Sequence, residues 1–135
     1  MARRVLITGA RAAAALDLAR DFAAAGWEAH LADSSGARMA RLSRAPASVH
    51  RYAPPALRRA DFRRDMTALI KRIAPELVIP ICEEVFHLAA WAEESRPAAM
   101  LLAPPLTALR MLHDKLGFAE ICAAHGLPVP ESAPY

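Results

Sequence analysis

Four short stretches of this 135-residue chain hold the residue types from which a binding or catalytic site is made. "PICEE", residues 80–84, closes the most apolar run of the sequence with two adjacent carboxylates, Glu83 and Glu84. Packing does not call for carboxylates there. They either cap the next helix, whose dipole stabilises negative charge at its start, or face a crevice and bind an amine or a ligand hydroxyl, Glu83 being favoured for that role. His87 lies one helical turn beyond, but no other His or Cys stands at ligand spacing, which argues against a metal site. "TGARA", residues 8–12, offers an anion site instead. Gly9 permits a tight turn, and the amides of Ala10, Arg11 and Ala12 open a helix whose N-terminus favours negative charge. A dinucleotide fingerprint needs further glycines, and "GARAAAA" has alanines in their place, so a pyrophosphate could not approach the backbone as closely. A strand-to-helix turn with no ligand is the plain alternative.

The third position is Asp33, 24 residues after Gly9. A dinucleotide-binding protein keeps its ribose carboxylate at such a place, at the end of the second strand. Any α/β domain also puts a polar loop residue there. Arg38, Arg41 and Arg44 nearby suit either phosphate or a solvated face. The fourth stretch is "MLHDKLGF", residues 111–118. The chain contains 15 arginines and only two lysines, Lys71 and Lys115. Asp114 reads as a helix N-cap, which puts Lys115 in the first turn, where the dipole disfavours a cation. A surface ion pair with Asp114 or Glu120 would return only about 0–1 kcal/mol. The position makes sense beside an anion, and a compact ammonium suits a nucleotide phosphate.

The elements that must carry these residues follow from composition and periodicity. A chain that is 55% hydrophobic and 23% charged is ordinary globular material with one core. Charges interrupt the apolar runs too often for a membrane span, and the apolar stretch of "MARRVLITG" is too short for a signal peptide, which points to the cytoplasm by default. Cys82 and Cys122, 40 residues apart, read as two buried free thiols. The net charge of +3 comes from dispersed arginines without interleaved aromatics, so neither nucleic acid nor membrane is an expected partner.

Val5–Thr8 reads as a buried strand, residues 11–25 as an alanine-rich helix stopped by Gly26, and "WEAHLAD" as a second strand. "SSGARMARLSRAPA" reads as loop with room for a short helix, and "SVHRYA" as a third strand closed by Pro54 and Pro55. From Asp61, a plausible N-cap, Phe62, Met66, Leu69, Ile70 and Ile73 share one helical face, with the stop expected at Ala74 before Pro75. "LVIPI" is a strand, "EEVFHLAAWAEES" a helix and "AMLLA" a fifth strand. Helices over Leu106–Leu112 and Lys115–His125 finish the pattern, the latter with Phe118, Ile121, Cys122 and His125 as its buried stripe. The tail "LPVPESAPY" has no periodicity. Strands alternating with helices predict a Rossmann-like three-layer α/β/α domain with a mostly parallel sheet of about five strands. In such a sheet ligands gather beyond the carboxyl ends of the strands, where the first three stretches fall.

"LHDKLGFAEICAAHGLPVPES" resembles the junction at which ATP-grasp ligases pass from their N-terminal domain to the nucleotide-binding part. Asp114, Lys115, Phe118, Gly126, Pro128 and Pro130 match that pattern. Upstream, "VLITGA", "LSRAPASVHRY", "LVIPICEEVFHLA" and "LLAPP" resemble the pre-ATP-grasp domain of carbamoyl-phosphate-synthase-like and biotin-carboxylase-like members, in the same order. The resemblance implies a pre-ATP-grasp domain over residues 1–113 and a linking helix with a proline-rich lead over 114–135. It implies that Lys115 reaches an ATP phosphate, and that Gly9, Ala10, Arg11, Asp33, Glu83 and Glu84 lie on the substrate side. It further implies ATP and Mg²⁺ as cofactors held mainly by another domain, small-molecule carboxylate and amine substrates joined through an acyl phosphate, and a homodimer as an open possibility. Because the chain ends at Tyr135, where the nucleotide-binding lobes would begin, the resemblance implies a fragment that is inert alone. A small NAD(P)- or nucleotide-binding Rossmann domain, and a non-catalytic interaction or dimerisation domain, are the competing readings.

Overall fold

A computed structural model describes residues 2–131 of the chain. The chain divides into two compact units, Met1–Ala103 and Pro104–Tyr135.

In the first unit five strands alternate with four helices: β1 (Arg4–Thr8), α1 (Ala13–Ala24), β2 (Glu28–Asp33), α2 (Arg38–Leu42), β3 (Ser48–Arg51), α3 (Arg59–Ile73), β4 (Leu77–Ile79), α4 (Glu84–Ser95) and β5 (Met100–Leu101). Every pair in the sheet is parallel, in the order β3-β2-β1-β4-β5. Parallel strands need crossover helices, and these cover both faces, which is why "VLIT" can be uninterrupted apolar sequence. Val5 and Ile7 pack with Leu16, Ala19 and Leu31 on the α1 face. Leu6, pointing the other way, packs with Phe62, Met66, Leu88 and Trp91 of α3 and α4. The expected three-layer α/β/α architecture is the one observed.

The helix ends obey local chemistry. Gly26, at φ +80°, lets Trp27 N–H reach the Phe22 carbonyl (2.9 Å), a Schellman closure of α1. α3 buries Phe62, Met66, Leu69 and Ile73 along one stripe and ends at Ala74, φ +48°. Each fully buried side chain of that size contributes about 1.5–3 kcal/mol. Asp61 is not its N-cap: the helix begins at Arg59, because a turn in which the Leu57 and Arg58 amides donate to the Pro54 carbonyl already directs the chain into it. Asp61 sits in the first turn instead, beside Arg58 and Arg64, where a carboxylate still meets the positive end of the dipole.

"LVIPI" is strand only to Ile79. Pro80 has no N–H to give the ladder, and the chain turns through Cys82 at φ +65°. That turn overturns the expectation of buried thiols: both cysteines are free, but Cys82 is exposed and Cys122 only partly buried.

The second unit holds α5 (Leu106–His113) and α6 (Lys115–Ala124). Asp114 caps α6 as expected, its side chain accepting the Gly117 N–H at 3.3 Å. The expected buried stripe does not form. Phe118 is 47% exposed, His125 is exposed, and Ile121 and Cys122 are half-buried. Two short helices in this unit supply no second layer against which a whole stripe could be covered. The proline-rich tail has no regular structure through Glu131, and its last four residues lie outside the described ones. Among the described residues no helix is long and apolar enough to cross a membrane.

Candidate functional site

The chain steps outward from β1 to β2 and β3, then crosses back through α3 to β4 on the other side of β1. The carboxyl ends of β1 and β4 therefore flank a switch point. The loops that leave these two strands touch. Gly9 has φ +72°, and a Cβ there would lie 2.8 Å from the Ile81 carbonyl oxygen and 3.1 Å from the Ile81 Cβ. Only glycine satisfies both the left-handed backbone and that approach.

The amides beyond Gly9 are occupied from within the protein. Ala10 N–H donates to the Ala32 carbonyl (3.2 Å), Ala12 N–H to the Gly9 carbonyl (2.9 Å), and Arg11 N–H to Asp33 Oδ2 (2.8 Å). Asp33 Oδ1 accepts the Ser35 N–H at 2.7 Å and lies 3.5 Å from the Arg11 guanidinium. The Asp33 carboxylate is completely buried. It is thus an anion held by the turn that leads into α1, a helix that begins only at Ala13 and not at residue 11 as expected.

Arg11 also donates to Glu84 Oε1, and the Tyr52 hydroxyl donates to Glu84 Oε2. Tyr52 and Glu84 are both buried. Tyr52 is further fixed by its own N–H, which donates to the Asp33 carbonyl at 3.2 Å. The electrostatics follow from this enclosure. Burial raises the Glu84 carboxyl above its ordinary range, and the bond from Tyr52 and the charge of Arg11 offset part of that rise. Burial and then the Glu84 charge push the Tyr52 phenol far up, so it serves only as a donor. Arg11 would be lowered by burial, but Glu84 and Asp33 outweigh this and its pKa is raised. His87 is lowered by burial and by the Arg59 charge.

A cavity of about 410 Å³ opens over this network. Arg11, Glu83, Glu84 and His87 form its polar wall, and Pro54, Pro55 and Leu57 its apolar one. The two glutamates divide their work. Glu84 is consumed by Arg11 and Tyr52, whereas Glu83 is exposed at the rim. Chemically, the wall presents fixed charges of both signs plus a neutral imidazole, an arrangement that orients a polar small molecule. Among the described residues no group of three or more His, Cys, Asp or Glu could hold a metal ion.

The structure thus brings Gly9, Ala10, Arg11, Asp33 and Glu84 into one network and leaves Glu83 at its edge. Lys115 belongs to the second unit, where it is exposed in the first turn of α6 and forms no ion pair among the described residues. Sequence reasoning missed Tyr52. Its one signal is a phenol at the carboxyl end of a strand, just before Pro54–Pro55, where a buried hydroxyl would need an acceptor.

No protein-family model matches the sequence, and no curated protein matches it. Solved structures do. The biotin carboxylase domain of a single-chain bacterial carboxylase superposes with a TM-score of 0.70 at 18% identity, covering 97% of this chain and 30% of that one. The biotin carboxylase subunit of pyruvate carboxylase gives 0.68 at 17%, covering 98% and 30%. The L-amino acid ligase from Bacillus licheniformis gives 0.72 at 14%, covering 98% and 35%. At such identities the likeness establishes the fold: over nearly its whole length, this chain has the α/β fold of a segment making up 30–35% of these carboxylases and of the amino acid ligase.

Proposed function

We propose that the chain is the substrate-side, pre-ATP-grasp domain of an ATP-dependent ligase that joins a carboxylate to an amine through an acyl phosphate. The observation that carries this reading is the cavity at the β1–β4 switch point, floored by the Arg11–Glu84–Tyr52 network, within a fold shared with carboxylases and an amino acid ligase. Glu83 and His87 at the cavity wall contribute an acceptor for an amine and a neutral imidazole. Arg11, held by two carboxylates, is too tightly paired to migrate and acts as a fixed positive edge. Lys115 contributes one cation toward a nucleotide phosphate.

The crevice residues themselves do not fit Mg·ATP. The amides of the Ala10–Ala12 turn that precedes α1 are already donating to Ala32, Asp33 and Gly9, and among the described residues no acidic cluster is available for the metal. ATP and Mg²⁺ are therefore assigned to another domain of the parent protein, and the chain alone is catalytically inert. The same contacts oppose a dinucleotide reading, because both Asp33 oxygens are taken by backbone amides.

Calorimetric titration of the chain with Mg·ATP and with NADPH tests this. Weak or absent ATP binding and no NADPH binding are expected, and saturable NADPH binding would overturn the reading. In the parent enzyme, Lys115→Ala should raise the KM for ATP, and an unchanged KM would remove Lys115 from the proposed role.

A further inference from the structure

Away from the cavity, on the α3 face of the sheet, four side chains form a continuous line. The Arg72 guanidinium lies 2.9 Å from His50 Nδ1, His50 Nε2 lies 2.6 Å from Ser48 Oγ, and Ser48 Oγ lies 2.7 Å from His30 Nδ1. The two imidazoles face each other with ring centroids 5.7 Å apart. We infer that these residues form a one-way hydrogen-bond relay whose polarity Arg72 sets, and that proton uptake by either imidazole breaks it and loosens the β2–β3 edge of the sheet.

The direction follows from donor counting. A guanidinium has only donors, so His50 Nδ1 must accept. A neutral imidazole with an accepting Nδ1 carries its proton on Nε2, which then donates to Ser48 Oγ. The Ser48 hydroxyl is left to donate to His30 Nδ1, which places the His30 proton on Nε2. That atom is buried with no hydrogen-bond partner among the described residues. The reverse direction would set a His50 Nδ1–H against an Arg72 N–H. A protonated His50 makes the same clash and puts two cations in contact. A protonated His30 offers Ser48 a second donor and leaves the hydroxyl proton without an acceptor.

The charged groups around the pair are Arg4 of β1 and Glu28 of β2 beside His30, and Arg72 of α3 beside His50. Glu28 would favour a charged His30, but its carboxylate is bonded to Arg4 at 2.9 Å, and burial outweighs it. Burial first, then Arg72 and His30, keeps His50 neutral. Both histidines are therefore lowered, so the relay's contribution is complete above the ordinary histidine range and is lost as pH falls below it. The effect reaches further because β3 runs directly into Tyr52, whose N–H holds the Asp33 carbonyl at 3.2 Å. A proton on the sheet edge thereby acts on the residue that holds Glu84. This inference is independent of the ligase reading.

Long-range ¹H–¹⁵N correlation spectra of the labelled chain read the tautomers without any substitution. At pH 7.5 His30 and His50 should both be neutral and protonated on Nε2, and both should titrate below the usual ~6.5. Protection of the β3 amides against hydrogen exchange should fall by up to about tenfold per pH unit for each proton taken up below that range. Arg72→Met should turn His50 into a tautomer mixture, and Ser48→Ala should do the same to His30 while His50, still facing Arg72, keeps its proton on Nε2. A neutral Nδ1–H form of either histidine in the unsubstituted chain, or β3 protection that does not change between pH 8 and pH 5, would overturn the relay.

Discussion

Removing one oxygen atom, in Tyr52→Phe, separates the hydroxyl's role from that of the ring. The ring packs edge-to-face on Phe62 at 5.4 Å between centroids, a contact phenylalanine keeps. What disappears is the donor to Glu84 Oε2. Glu84 is only 6% exposed, so water does not simply replace that donor. A hydrogen bond to a charged partner is worth about 1.5–3 kcal/mol net, against about 0.5–1.5 kcal/mol for a neutral pair. The substitution should therefore cost about 1.5–3 kcal/mol at pH 8, a fall of roughly 3–5 °C in Tm for each kcal/mol in a chain of this size. The pH dependence supplies a second check. Burial already raises the folded-state pKa of Glu84, and loss of the Tyr52 bond raises it further. A carboxyl raised in the folded state costs stability as pH rises through its folded pKa, and that cost is absent once it is protonated in both states. The difference between the variant and the unsubstituted chain should thus shrink toward 0.5–1.5 kcal/mol as the pH falls to the carboxylate range. Urea unfolding followed by tryptophan fluorescence at pH 8 and pH 5 measures both effects. A difference below about 0.5 kcal/mol at pH 8 would show that the Tyr52–Glu84 contact does not stabilise the fold.

Other substitutions probe the same floor from different sides. Gly9→Ala combines a left-handed backbone with a Cβ only 2.8 Å from the Ile81 oxygen, and should lower stability by about 2–4 kcal/mol in denaturant unfolding. Arg11→Met leaves Glu84 buried with one donor; because the Arg11 side chain is 46% exposed, the expected loss is about 1–3 kcal/mol at pH 8 and less at pH 5, read in the same assay. Lys115→Ala should leave the unfolding free energy within about 0.5 kcal/mol of unchanged in the same assay, since it removes an exposed cation from a helix start, while affecting nucleotide use in the parent protein. With a chromogenic disulfide reagent, exposed Cys82 should react faster than partly buried Cys122; equal rates would contradict the loop geometry.

Much of the fold is legible in the sequence because its signals are local. Uninterrupted "VLIT" announces a strand covered on both faces, the spacing of Phe62, Met66, Leu69 and Ile73 announces α3, and Gly26 and Pro75 punctuate the helices next to them. The four stretches singled out for their chemistry fall at strand or helix ends for the same reason. The wiring of the site is not local. Tyr52 meets Glu84 across 32 residues, and Arg11 meets Glu84 across 73. Those meetings depend on β1 lying between β2 and β4, which no window of sequence encodes. Asp33 shows the difference most sharply: its place at the end of β2 is readable, but its donors, the Arg11 and Ser35 amides, are set by how two loops settle. The α6 stripe failed in the opposite sense, since its spacing was real but the layer needed to bury it is not among the described elements of its unit.

The buried Asp33 has a consequence for how the protein responds to its medium. A helix start with open amides competes for whatever anion is dissolved around it, so that phosphate or sulfate in the buffer shifts its stability. Here the charge is covalently part of the chain, at an effective concentration no solute can match. The β1–α1 turn should be indifferent to buffer anions, and replacing Asp33 with a small neutral residue would expose a vacant anion receptor that dissolved phosphate could then fill.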